Sequence, residues 1–250
     1  MAASKAITEE EAQLYDRQIR LWGLDAQKRL RASRVLVAGM KGLGCEVVKN
    51  LVLAGVNSLT MIDHENLSKE DVDSQFLAPR DKIGTNRAEA SLDRVKQLNP
   101  GVEIKVDKSN LDTKEANFFS ENFDLVVITN FPKDTLVRIN QMCRDAGVKF
   151  FAGDIFGFFG YSFMDLVEHE FVEEVKQIVA AKTENKSNNE EGPSNAKKAR
   201  LLEVEEPETK MVKNSMKFVP LKDALNVDWG QEAYKKRIKR MDPSYFLLQV

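Results

Sequence analysis

Three glycines and one acid in this chain are spaced so that they could do chemistry on a phosphate. Gly39, Gly42 and Gly44 follow the apolar run Val35, Leu36 and Val37, and they precede apolar residues at helical spacing, Val47, Val48, Leu51 and Val52. That order reads as a strand feeding a helix through a glycine loop. Such a loop leaves backbone N–H groups bare at a helix N-terminus, where the macrodipole favours an anion, and the absent Cβ atoms let a phosphate come close. Asp63 stands at the end of the next apolar run, Leu59 to Ile62, about 20 residues beyond the loop, where a carboxylate accepts from a ribose hydroxyl. The glycine order is G-x-x-G-x-G and not the G-x-G-x-x-G of dinucleotide sites, which weighs against NAD or FAD. The competing reading is an α/β domain whose glycines and acid serve packing alone.

The other chemistry-bearing residues are few. Arg17 and Arg20 are three apart at the edge of an apolar helical face, a spacing that suits solvated cations or weak surface ion pairs as well as a functional pair. Cys45 falls in the first turn of the glycine-loop helix and is expected to face the sheet; Cys143 lies on an apolar helical face and reads as core. His64 and His169 have no ligand or nucleophile spacing around them, so no metal site is expected on this chain.

These residues need elements to position them. Residues 1–8 are expected to be disordered, with Thr8 as N-cap ahead of Glu9, Glu10 and Glu11. One helix is then expected to run to Gly23 with Leu14, Gln18, Leu21 and Trp22 on its apolar face, followed by a short helix from Asp25 to Leu30. Gly55 is placed to end the glycine-loop helix. After a polar excursion, a helix is expected from about Asn86 to Leu98, strands at Val102–Val106, Leu125–Thr129 and Val148–Ala152, and a helix at Lys133–Ala146. Strands that alternate with helices imply a parallel sheet with right-handed crossovers. The aromatic, glycine-rich stretch after Ala152 is expected to add antiparallel edge strands.

Composition shifts further on. Residues 183–200 hold almost no large apolar side chains and read as a disordered linker, with Lys197, Lys198 and Arg200 forming a small basic cluster compatible with a nuclear import signal. Order is expected to return near Met216 and to include a charged helix at EAYKKRIKR. The terminal SYFLLQV is apolar and uncapped, so a further C-terminal piece is expected. The division expected is therefore a disordered 1–8, an α/β domain over 9–170, a helix end and flexible charged linker over 171–215, and the start of an incomplete C-terminal segment over 216–250. Across 250 residues, 37 Lys and Arg nearly balance 39 Asp and Glu, a net charge of −2, so no general basic field favours nucleic acid. Two cysteines are too few for a disulfide framework, and no stretch approaches the roughly 20 apolar residues of a membrane span. A soluble, intracellular protein is expected.

Taken together, YDRQIRLWG at 15–23, the glycine loop, MIDHE at 61–65, SQFL at 74–77 and IGTNRAEA at 83–90 resemble the ThiF/MoeB-like family of enzymes that activate ubiquitin-like proteins. FFAGDIFGFFGYSF, VEHEFVEE and DPSYFLLQV narrow the resemblance to the smaller subunit of a heterodimeric member. The resemblance implies a Rossmann-like α/β fold, mostly parallel, with N-terminal helices and a C-terminal antiparallel extension. It implies ATP with Mg²⁺ as cofactors, adenylation of the modifier's C-terminal glycine, and transfer to a cysteine on the larger partner subunit.

Residue by residue, the family pattern is incomplete here. Where active subunits carry N-R-Q-F, this chain has Asp73, Ser74, Gln75 and Phe76. The family's ATP-contacting Lys matches Arg87, and its metal-binding Asp falls at Phe131 or Pro132. Arg for Lys is not a neutral exchange at a fitted site. The resemblance therefore implies a silent half-site at Gly39, Gly42, Gly44 and Asp63, whose ATP and Mg²⁺ are bound mainly by the partner. It also implies that Arg17, from the Y-D-R-Q motif, reaches the partner's ATP in trans. The alternatives left open are a self-sufficient homodimeric adenylyltransferase or other nucleotide-binding enzyme, and a non-catalytic scaffold.

Overall fold

Thr8 opens the first helix as a capping box, accepting from the Glu11 amide at 3.2 Å while the Glu11 carboxylate accepts from the Thr8 amide at 3.0 Å. The structure, a computed structural model, describes residues 7–176 and 209–247. The single helix expected up to Gly23 is two, α1 (Glu9–Leu14) and α2 (Asp16–Trp22), followed by α3 (Leu24–Ala32). The break falls at Tyr15, φ −101° and ψ 15°, where the ring turns inward and is 5% exposed. Leu14 and Leu21, expected on the apolar face, point to solvent at 67% and 79% exposed. Helical spacing identifies a face without saying what meets it.

The glycine-loop unit forms as read. β1 (Arg34–Ala38) leads to α4 (Gly42–Ala54), which ends at Gly55 in the left-handed region, φ +81°, and then β2 (Ser58–Ile62). The polar excursion holds α5 (Lys69–Ser74), closed by a Ser68–Asp71 capping box, before α6 (Arg87–Leu98) and β3 (Glu103–Asp107). An unexpected helix, α7 (Ala116–Asn122), precedes β4 (Leu125–Thr129), and then come α8 (Lys133–Asp145), β5 (Lys149–Phe156) and β6 (Phe159–Asp165). The sheet order is β3-β2-β1-β4-β5-β6; the first five strands are parallel and β6 runs antiparallel to β5. This is the Rossmann-like α/β sheet with its antiparallel extension.

Both faces of the sheet are covered, which is why its central strands are almost uninterruptedly apolar. Val35, Val37, Leu59 and Met61 pack with Cys45, Val48 and Val52 of α4 and Ala88 and Val95 of α6. Leu36, Ile128 and Phe150 pack on the other face with Phe119 of α7 and Leu136, Ile139 and Cys143 of α8. Among the described helices, none is long and apolar enough to cross a membrane.

Two compact units are present, one comprising residues 1–167 and 217–250 and the other residues 168–216. In the second, β7 (Glu168–Lys176) pairs with β8 (Thr209–Lys217) in a two-stranded sheet. This corrects the helix end expected at the start of 171–215: Phe171, Val172 and Val175 favour an extended chain. The stretch 183–200, with Lys197, Lys198 and Arg200, lies outside the described residues. In the first unit, α9 (Leu221–Leu225) packs on α8 through buried Leu221, whose amide donates to Asn140 Oδ1 at 2.8 Å. The charged helix expected at EAYKKRIKR shrinks to a turn and α10 (Lys235–Ile238), ahead of α11 (Ser244–Leu247).

Two loop glycines are demanded by packing. A Cβ on Gly39, itself at φ +88°, would lie 2.2 Å from the Thr129 carbonyl oxygen, and one on Gly44 would lie 1.8 Å from the Gly39 carbonyl oxygen. Gly44→Ala is therefore expected to cost about 3 kcal/mol or more. Gly147→Ala, with open space around it but φ +70°, should cost only about 1–2 kcal/mol. Urea unfolding of the two variants checks this, and equal small losses would contradict it.

Candidate functional site

The carboxyl ends of β1 and β2 meet at Asp63, the place where open α/β sheets hold ligands. Asp63 is buried, and its carboxylate is spent on the protein itself. Oδ2 accepts from the Met40 amide at 2.8 Å and from Arg87 Nη1 at 3.2 Å, while Oδ1 accepts from the Glu65 amide at 3.0 Å. A buried carboxylate so engaged holds the glycine loop onto β2.

Arg87 explains the arrangement. It is buried at the first turn of α6, where Asn86 caps the helix by accepting from the Glu89 amide, and its guanidinium meets three acids. Nη2 donates to Glu65 Oε2 at 2.6 Å, Nη1 to Asp63, and Nε lies 3.2 Å from Asp71 Oδ2 without hydrogen-bond geometry. Asp71 is fixed by its own capping box with Ser68. Arg87 holds the Glu65 carboxyl below its usual pKa, first through this hydrogen bond. One cation thus faces three carboxylates. Where the resemblance put an ATP-contacting cation, the side chain is already paired with acids of its own chain.

The glycine loop is closed from the other side as well. A Cβ on Gly42 would come within 3.0 Å of the Ser74 carbonyl oxygen, so the C-terminal end of α5, with its outward carbonyl dipoles, abuts the loop. Gln75 locks that turn, its Oε1 accepting from the Leu77 and Ala78 amides at 2.7 and 3.0 Å. A triphosphate fits neither this carbonyl nor the carboxylate set, and no step is assigned to nucleotide bound on this chain. Gly39, Gly42, Gly44 and Asp63 are brought together as the spacing foresaw, but to pack the loop.

Both cysteines are buried, and the position of the family's metal-binding acid holds no acid. Cys45 is buried, donates to the Met40 carbonyl at 3.3 Å, and burial pushes its pKa up to about 12; burial does the same to Cys143, also to about 12. Neither is a thiolate near neutral pH. Phe131 lines a cavity of about 520 Å³ at the carboxyl ends of β4 and β5, beside Tyr161, Phe163 and the buried Asp154. Pro132 caps α8 without a side-chain acid. His64 is exposed, and His169 stacks on Phe171 at 6.1 Å.

Arg17 lies apart from all this. It is exposed on α2, and among the described residues it has no ion-pair partner, whereas Arg20 pairs with Asp16 at 3.0 Å. Exposed Leu14, Leu21, Leu24 and Leu53 belong to the same helical arm and the end of α4 beneath it. The arm is anchored by side chains that sequence reasoning did not single out, Gln27 and Asn99. Their polarity at helical positions gave no signal, because the groups they bind come from other elements.

The ThiF family model matches residues 15–196. Over 244 residues the chain is 53% identical to SUMO-activating enzyme subunit 1 of Rattus norvegicus, covering 98% of this chain and 67% of that protein. Against the subunit 1 of Homo sapiens it is 50% identical over 248 residues, 99% of this chain and 69% of that one. Among solved structures, E. coli tRNA N6-threonylcarbamoyladenosine dehydratase, TcdA, is similar with a TM-score of 0.53 and 21% identity, over 59% of this chain and 62% of that one. That last likeness concerns the fold alone.

Removing Arg87 leaves buried Asp63 and Asp71 without their cation. Arg87→Met is expected to cost about 3–5 kcal/mol near neutral pH. Because Arg87 depresses the Glu65 pKa, that part of the stability is present above the ordinary carboxylate range and is lost as pH falls through the lowered value. The gap between wild type and Arg87→Met should narrow between about pH 7 and about pH 3 in urea unfolding. A gap that stays constant over that range would contradict the pairing.

Proposed function

The chain belongs to the ThiF family, and from that premise we propose that it is the smaller, non-cysteine subunit of a heterodimeric SUMO-activating enzyme. It supports ATP-dependent adenylation of the SUMO C-terminal glycine, after which a cysteine of the larger subunit takes the acyl group as a thioester. The relatives named above support the assignment, at 50–53% identity over nearly the whole chain. ATP, with Mg²⁺, is held mainly by the larger subunit; the acids around Arg87 and the carbonyl against Gly42 support that division. Residence in the nucleus rests on the Lys197, Lys198 and Arg200 cluster alone.

The observation that carries this chain's own role is Arg17, an exposed arginine without an ion-pair partner among the described residues, on an arm with exposed leucines. An apolar surface of this kind suits a partner chain. Presented in trans, the planar guanidinium adds fixed positive charge where negative charge moves on the phosphates in the transition state. Arg17 needs no deprotonation and no reaction of its own chain. A scaffold reading leaves this arginine without a task, and a self-sufficient adenylyltransferase would need the cations that Asp73, Ser74 and the neutralised Arg87 fail to supply.

Arg17→Ala in the reconstituted heterodimer is expected to lower ATP–pyrophosphate exchange by about 10²-fold or more. Assembly, read by size-exclusion chromatography, should be kept. Exchange at the wild-type rate from an intact heterodimer would leave the scaffold reading standing.

A further inference from the structure

The C-terminal end of α4 has carbonyl groups that no helical amide can reach. Three successive carbonyls there, of Val52, Leu53 and Ala54, accept from three amide side chains, and the Val52 carbonyl accepts also from the Gly55 amide at 3.1 Å. Asn99 Nδ2 donates to the Val52 carbonyl at 2.9 Å, Gln18 Nε2 to the Leu53 carbonyl at 3.3 Å, and Gln27 Nε2 to the Ala54 carbonyl at 2.9 Å. Gln18 belongs to α2 and Gln27 to α3, while Asn99 ends α6. The helical arm is thus hydrogen-bonded to the end of the glycine-loop helix at consecutive residues.

Two of the three amides, those of Gln27 and Asn99, are also held at their other end. Gln27 is fully buried, and its Oε1 accepts from Trp22 Nε1 at 3.0 Å. Asn99 Oδ1 accepts from the Gly101 amide at 3.1 Å, and its second Nδ2 hydrogen goes to the Tyr15 hydroxyl at 2.8 Å. Tyr15 in turn lies against Gly55, where a Cβ would come within 2.4 Å of the phenol oxygen. Gln18 is the weakest member, since its buried Oε1 has no partner among the described residues. Tyr15, Gln18 and Trp22 alternate along α2 and its entry with exposed Arg17 and Leu21. Tyr15 and Gln18 hold the helix, as does the indole N–H of the 39% exposed Trp22, while Arg17 and Leu21 are displayed.

We propose that Gln27 and Asn99, with Gln18, are positioning residues for Arg17, setting the place and direction in which α2 presents it to the partner's site. The proposal rests on the trans role given to Arg17 above. A transition-state contact is sensitive to displacements of about 1 Å, so loosening the amides should act on turnover through Arg17 and not on binding of the modifier.

The test is a double-mutant cycle in the full heterodimer, followed by ATP–pyrophosphate exchange. Gln27→Met keeps the volume but removes the donor to Ala54 and the acceptor for Trp22. It is expected to lower kcat by about tenfold with KM for SUMO changed less than about twofold. Combined with Arg17→Ala, it should lower the rate no further, within about twofold of Arg17→Ala alone. The same tenfold fall on the Arg17→Ala background, or no fall on the Arg17 background, would overturn the proposal. If Gln27→Met does not assemble, the half-exposed Gln18→Met is read by the same criteria. An Arg17→Ala enzyme with wild-type exchange would remove the trans role itself, and the positioning role with it. A slowed Arg17→Ala whose loss multiplies with that of Gln27→Met would remove the positioning role only.

Discussion

A buried guanidinium must be paired, and Arg87 decides what the carboxyl end of this sheet can hold. Its three acids come from three places: Asp63 at the end of β2, Glu65 just beyond it, and Asp71 in α5. By gathering them it ties the polar excursion between β2 and α6 to the glycine loop, since Asp63 also accepts from Met40. The same contacts that stabilise the loop neutralise the cation that a triphosphate would need. Structural integrity and nucleotide affinity make opposite demands on this residue, and the geometry serves the first.

α4 carries that consequence to the other side of the molecule. Its N-terminal end is closed by Asp63, Gly39 and the Ser74 carbonyl; its C-terminal end is closed by Asn99, Gln18 and Gln27. A helix fixed at both ends is a rigid base for the arm that bears Arg17. Positive charge is therefore exposed at the arm, on Arg17, and paired with acids at the loop, on Arg87. That division suits a subunit that completes a site on a partner.

The sheet was legible because strands buried on both faces must be apolar nearly throughout, as Val35–Val37 and Leu125–Thr129 are. Thr8, Gly55 and Asp63 were legible for local reasons, a cap, a left-handed terminus and a strand end. What escaped depends on residues far apart in the chain. The Gly39–Thr129 contact and the Asp63–Arg87 pair cannot be inferred from loop spacing, so a packed loop reads like a phosphate cradle. Helical periodicity placed Leu14 and Leu21 on an apolar face but could not foresee the break at Tyr15, which follows from the fit of its ring against Gly55. β7 and β8 pair across an intervening stretch whose composition conceals the partnership.

The most direct measurement is the number of ATP molecules bound per heterodimer at saturation, by equilibrium dialysis with Mg²⁺ present. The expected result is one, bound with the same stoichiometry when Asp63 of this chain is replaced by Asn. Two molecules per heterodimer, with the second lost in Asp63→Asn, would show that the glycine loop of this chain binds nucleotide after all.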